Sequence, residues 1–71
     1  MVKCPNCGSS AQKLLETEHN YDHGFYCMSC EDCGFKWVEE FDINHTVVSY
    51  QYLKDGIYYI YSSKGELLKK L

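Results

Sequence analysis

Arginine is missing from this chain. All seven basic residues are lysines, set against ten acidic ones, for a formal net charge of −3. Arginine makes the bidentate contacts to bases and phosphates, and nucleic-acid binders usually carry a basic stripe. Tight, autonomous binding of DNA or RNA is therefore disfavoured. No apolar run approaches the roughly 20 residues of a membrane span. Met1-Val2-Lys3 leads straight into the first cysteine turn, leaving no room for a targeting segment and predicting a cytoplasmic location. No Ser-His-Asp set, phosphate-cradling glycine loop or acid–base pair stands out, so no enzymatic activity is expected. At 71 residues the chain also lacks the length to secure itself by apolar burial alone, and a staple is expected.

What the sequence does have is five cysteines in two bursts, Cys4-x2-Cys7 and Cys27-x2-Cys30-x2-Cys33. Each burst contains Cys-x-x-Cys-Gly, once as Cys4-Pro5-Asn6-Cys7-Gly8 and once as Cys30-Glu31-Asp32-Cys33-Gly34. A Cys-x2-Cys turn sets two sulfurs on one side of a tight loop, and two such turns facing each other make a tetrahedral four-thiolate site. Glycine after the second cysteine lets the chain leave the turn through positive φ while backbone amides point at the sulfurs. An odd cysteine count and paired spacings favour metal over disulfides. The predicted ligands are Cys4, Cys7, Cys30 and Cys33, holding one structural Zn2+, with iron as the rival for the same sulfurs. With four thiolates and one divalent ion the net charge moves from −3 to −5.

Cys27 is the surplus thiol, because Gly34 marks the Cys30/Cys33 pair as the second turn. It is expected to pack as a small apolar residue, with no basic neighbour to activate it. Cys4-x2-Cys7 followed by His19-x3-His23 nearly fits the two-cysteine, two-histidine finger. Ala11 and Glu16 stand where that finger needs large apolar residues, and three cysteines would be left without a role. His19, His23 and His45 are read as loop or turn residues.

The remaining pattern is all-β. Strands are expected over 13–18, 25–29, 35–43, 46–53 and 57–61, with 66–71 either a strand or a short helix. In the third, Trp37, Glu39, Phe41 and Ile43 alternate with Val38, Glu40 and Asp42, and the run Glu39, Glu40, Asp42 reads as the wet face of a strand. Val48, Tyr50 and Tyr52 fall on one side of the fourth. Asp55-Gly56 is a strong hairpin turn. The expected architecture is one small domain over 1–71, a three-stranded ribbon over 1–43 extended by a meander over 44–71. Whether the meander continues the ribbon sheet is left open by the pattern.

Residues 4–41 resemble a zinc ribbon: Cys-Pro-Asn-Cys-Gly, a hairpin, then Tyr26 and Cys-Glu-Asp-Cys-Gly-Phe-Lys-Trp. Tyr26 before the second turn and Trp37 three residues after Gly34 are similar to the ribbons of transcription elongation factor S and RNA polymerase small subunits. The resemblance implies a three-stranded antiparallel sheet holding one zinc. Elongation factor S acts through an adjacent Asp-Glu pair at its hairpin tip, whereas the tip here, 19–24, has the single acid Asp22, so that activity does not carry over. The resemblance covers about half of the chain and implies a part in transcription or other nucleic-acid machinery. A non-catalytic, protein-binding module is the leading expectation, with Tyr50, Tyr52, Tyr58, Tyr59 and Tyr61 as its contact face. Direct nucleic-acid binding through Lys13, Lys36, Lys69 and Lys70 is the alternative, and a rubredoxin-like iron redox protein a second.

Overall fold

The computed structural model describes residues 3–71. They form six strands: β1 (Gln12–His19), β2 (His23–Cys30), β3 (Lys36–Asp42), β4 (Val47–Lys54), β5 (Ile57–Ser62) and β6 (Leu67–Lys70). All are antiparallel neighbours in one open sheet of order β1-β2-β3-β4-β5-β6. The meander thus continues the ribbon sheet through the β3–β4 ladder, and the last segment is a strand. The described residues include no helix, hence none long and apolar enough to cross a membrane.

Local chemistry fixes the turns. Asp55 and Gly56 have φ of 53° and 80° between the paired ends Lys54 and Ile57, a two-residue hairpin loop with both residues left-handed. In the β3–β4 turn the left-handed position is His45 (φ 62°), and an aspartate organises it. The Asp42 carboxylate accepts from the backbone N–H groups of Asn44 and Thr46. The Ser62 hydroxyl does the same for Lys64 and Glu66 in the β5–β6 turn.

Three irregularities interrupt the ladders, leaving Leu15, Val48 and Leu68 as the extra residues. Each is an exposed apolar side chain, and each bulge adds twist. The sheet curls so that Lys3, Pro5 and Leu14 near one edge and Ser63, Lys64 and Gly65 near the other line a single groove. That face is concave. The bulge also moves Val48 out of the row of Tyr50 and Tyr52, and Val47 takes the place opposite Phe41. Ile43, expected on the inward row of β3, lies beyond the strand end and is exposed.

The core lies under the concave face: Met28, Cys30, Trp37, Cys4 and Phe41, all 3% exposed or less. Cys4, Met28, Cys30 and Trp37 form its innermost cluster, with Tyr26, Phe35, Tyr50 and Tyr52 packed against it. Phe41 packs on Tyr26 with the ring planes tilted by 31° and centroids 4.4 Å apart, and covers Gly24, its partner across the ladder. Glu39 overturns the reading of its charge run as a wet face: it is fully buried. Alternation puts it between Trp37 and Phe41 on the inward row, and Glu40 and Asp42 alone face outward.

Candidate metal centre

The two cysteine turns are near copies. In the first, the Gly8 N–H donates to the Cys4 carbonyl (2.9 Å), Cys4 N–H donates to Ser9, and Gly8 has φ 76°. In the second, the Gly34 N–H donates to the Cys30 carbonyl (2.9 Å), Cys30 N–H donates to Phe35, and Gly34 has φ 77°. Open space surrounds both glycine α-carbons, so backbone conformation rather than crowding selects glycine. The turns are joined by a Ser9 hydroxyl bond to the Asp32 carboxylate and by the Glu31 N–H bond to the Ala11 carbonyl. Asp32, and Glu31 beside it, therefore belong to the clasp between the two turns.

The four sulfurs of Cys4, Cys7, Cys30 and Cys33 all lie within 4.8 Å of one another. Cys4 stands 3.6 Å from Cys33, and Cys7 stands 3.6 Å from Cys30. The edge of a tetrahedron with metal–sulfur bonds of about 2.3 Å is roughly 3.8 Å. Spacing and donor type both fit a thiolate-loving divalent ion, and the cluster could hold one. Among the described residues no other group of histidine, cysteine or carboxylate ligands converges in this way. All five cysteines are free thiols.

The electrostatics are asymmetric. The Asn6 side-chain amide donates to the Cys33 sulfur at 3.6 Å, and with the Phe35 backbone N–H it draws that thiol down to about 6. Cys7 goes the other way: the Ser9 backbone N–H lowers it, but the Cys33 thiol, desolvation and the other two sulfurs raise it to about 12. One thiolate forms readily and then makes the next harder to form. A cation held there would remove that conflict and release protons on binding, so its retention would weaken as pH falls.

Cys27 sits elsewhere. It pairs with Glu16 and Val38 on the convex face, opposite to the inward row of Cys30. Burial, then the charges of Glu16 and Glu18, push its thiol up. His19 and His23 lie at the far end of the β1–β2 hairpin from the cysteine turns. There, with His45, Asp22 and Asp42, they line a cleft of about 240 Å3. His23 Nδ1 bonds the Asp22 carboxylate at 2.8 Å and holds its pKa down, and His45 stacks on Phe41. Sequence spacing missed this gathering, because His45 reaches the cleft through a different turn.

Of the five candidate tyrosines, four share the concave face. Tyr50 stacks on Tyr61 at 5.2 Å and Tyr52 on Tyr59 at 5.3 Å, and the Tyr52 hydroxyl donates to that of Tyr61 at 3.2 Å. Tyr58 pairs with Leu53 on the convex face and leaves the set. Tyr26, unselected by sequence, joins it. The candidate lysines do not form one patch: Lys13 and Lys36 flank Ser29, while Lys69 and Lys70 lie on the opposite edge strand, where the Lys70 ammonium sits 5.4 Å from the centre of the Tyr59 ring.

The cysteine cluster and the tyrosine face share a core. Cys4 and Cys30 pack directly with Met28 and Trp37, which carry Tyr26, Tyr50 and Tyr52. Compared with protein-family models, curated proteins and solved structures, the chain matches none.

Proposed function

We propose that this chain is a non-catalytic binding module, stapled by one zinc ion at Cys4, Cys7, Cys30 and Cys33, whose working surface is the concave tyrosine face. The observation that carries the reading is the shared core just described: ligand cysteines make up half of the innermost cluster on which the tyrosines rest. Metal on one side of that cluster thereby holds the shape of the surface on the other. Four thiolates complete a tetrahedral shell and leave no vertex for substrate or water, which supports a structural rather than catalytic ion. Zinc suits the closed thiolate set, and a reducing cytoplasmic location would keep the thiols available.

The occupant of the face is a protein. Tyrosine rings supply apolar contact area with a wet hydroxyl end. The overall charge is negative and the lysines are divided between two edges, which removes the support for a phosphate track. The resemblance of residues 4–41 to transcription ribbons supports a partner in transcription or related machinery. Affinity capture from the native host with zinc-loaded wild type and a Tyr50→Ala/Tyr61→Ala variant, followed by mass spectrometry, tests this. A specific partner lost from the folded variant is the expected result. Equal capture by both proteins removes the face from the account, and salt-sensitive binding to nucleic acid alone replaces protein by nucleic acid.

A further inference from the structure

The groove of about 910 Å3 that the curled sheet encloses carries charge of one sign. Lys3 and Lys64 line it, and no aspartate or glutamate does, although the chain has ten acidic residues against seven lysines. The two cations stand on opposite lips. Lys3 leads into the first cysteine turn, near the β1 edge, and Lys64 belongs to the turn between β5 and β6. Both are exposed, and neither forms an ion pair with a described residue. Between the lips the lining is apolar and aromatic: Leu14, Tyr26, Val47 and Tyr50. Leu14 is 50% exposed there, so apolar surface is left to water inside a cationic rim.

We infer that this groove docks an acidic segment of a partner protein, an apolar side chain of that segment seating on Leu14, Tyr26, Val47 and Tyr50 while carboxylates on either side of it meet Lys3 and Lys64. This rests on the reading of the concave face as a protein-docking surface and names the chemistry of what docks there. In a chain of net charge −3, a large cleft without a carboxylate is a local reversal of sign. Such a reversal draws in an occupant of opposite charge and turns away a basic one. Lysine gives a point charge on a flexible stem, so the two lips follow carboxylates without fixing their spacing to a planar fork. A nucleic acid brings a phosphate at every nucleotide and calls for a continuous basic track, whereas here two cations are parted by an apolar floor.

Three synthetic peptides test this on the 15N-labelled, zinc-loaded chain: acetyl-Asp-Glu-Phe-Glu-Asp-amide, its Asn/Gln counterpart, and the acidic peptide with Ser in place of Phe. Saturable shifts of the Thr46, Val47, Tyr50 and Gly65 amides are expected with the first. Binding should be at least about fivefold weaker with either of the others, and weaker for the first as salt rises. The double variant Lys3→Glu/Lys64→Glu, both changes being at exposed residues, should reverse the preference and favour a Lys-Lys-Phe-Lys-Lys peptide while resonances away from the groove stay in place. No saturable shift at those amides, equal binding of the neutral peptide, or an unchanged preference in the folded double variant overturns the inference. Tighter binding of an oligothymidylate at the same amides also overturns it, and puts a nucleic acid in place of the acidic segment. If the acidic peptide fails while partner capture still depends on Tyr50 and Tyr61, the charge rule is refuted and the docking face stands. Failure of both refutes both.

Discussion

Trp37 donates its indole N–H to Glu39, two residues along the same strand, at 2.9 Å, with Trp37 2% exposed and Glu39 fully buried. One residue of this pair packs with Cys4 and Cys30, and the other lies between Tyr26 and Tyr50 across the ladders. Replacing Trp37 by Phe leaves both carboxylate oxygens without a donor and opens space in the core. A loss of about 2–4 kcal/mol is expected. Glu39→Gln preserves the acceptor and should cost about 1 kcal/mol or less. Urea unfolding midpoints at one fixed zinc concentration check the contrast. Equal losses in the two variants would show that the indole bond does not organise the core.

The ligand assignment predicts a sharp division among the cysteines. Single Cys→Ala changes at Cys4, Cys7, Cys30 and Cys33 should each abolish stoichiometric metal binding and largely unfold the ribbon, since structural zinc supplies roughly 10–16 kcal/mol in finger peptides. Cys27→Ala should retain the ion, because Cys27 faces the other side of the sheet. Metal content per chain decides it. Loss of metal in Cys27→Ala with retention in Cys33→Ala would reverse the choice.

Gly24 is required by crowding. A Cβ there would fall 2.3 Å from Phe41 Cζ and 2.5 Å from the Glu18 carbonyl oxygen. Gly24→Ala should destabilise by about 2 kcal/mol or more, because a packed aromatic ring and a backbone atom must both move. In a Phe41→Leu background the ring clash is gone and the carbonyl clash remains, so the additional cost should shrink without vanishing. Thermal unfolding of the four-protein cycle measures it.

Alkali should loosen the tyrosine face. The hydrogen bond to Tyr61, then burial, raise Tyr52 to about 12, and burial followed by the Tyr61 charge raises Tyr50. A raised folded-state pKa means that the folded chain holds its proton longer than the unfolded one. Its stabilising contribution is complete below the ordinary tyrosine value of about 10 and is lost as pH rises through the folded value. Stability should therefore fall from about pH 10 upward, and less steeply in Tyr52→Phe. Ultraviolet tyrosinate absorbance alongside denaturation at each pH tests this, and a flat profile between pH 9 and 12 would count against the half-buried hydroxyl pair.

The cysteine turns were legible because their geometry is local: two sulfurs, a four-residue loop and a glycine with positive φ leave a fixed mark in the sequence. The strands, the Asp55-Gly56 turn and the all-β class were legible for the same reason. Glu39 was half legible. Alternation put it in the row of Trp37 and Phe41, yet beside Glu40 and Asp42 it looked like part of a solvated run. Only its distance from the Trp37 indole shows why burial is tolerated. The bulges at Leu15, Val48 and Leu68 carry no glycine or proline, so nothing in the pattern announced the shift that moves Val48 out of line. The gathering of His19, His23 and His45 depends on two turns at one end of the sheet, and spacing within either turn does not reveal it.

Elemental analysis of the purified chain, followed by unfolding with a strong chelator, bears most directly on the whole account. One zinc per chain in a colourless protein, loss of the sheet on chelation and its recovery when zinc is restored are the predicted results. A metal-free chain that keeps the same sheet and the same unfolding midpoint would contradict the claim that an ion at Cys4, Cys7, Cys30 and Cys33 holds this fold together.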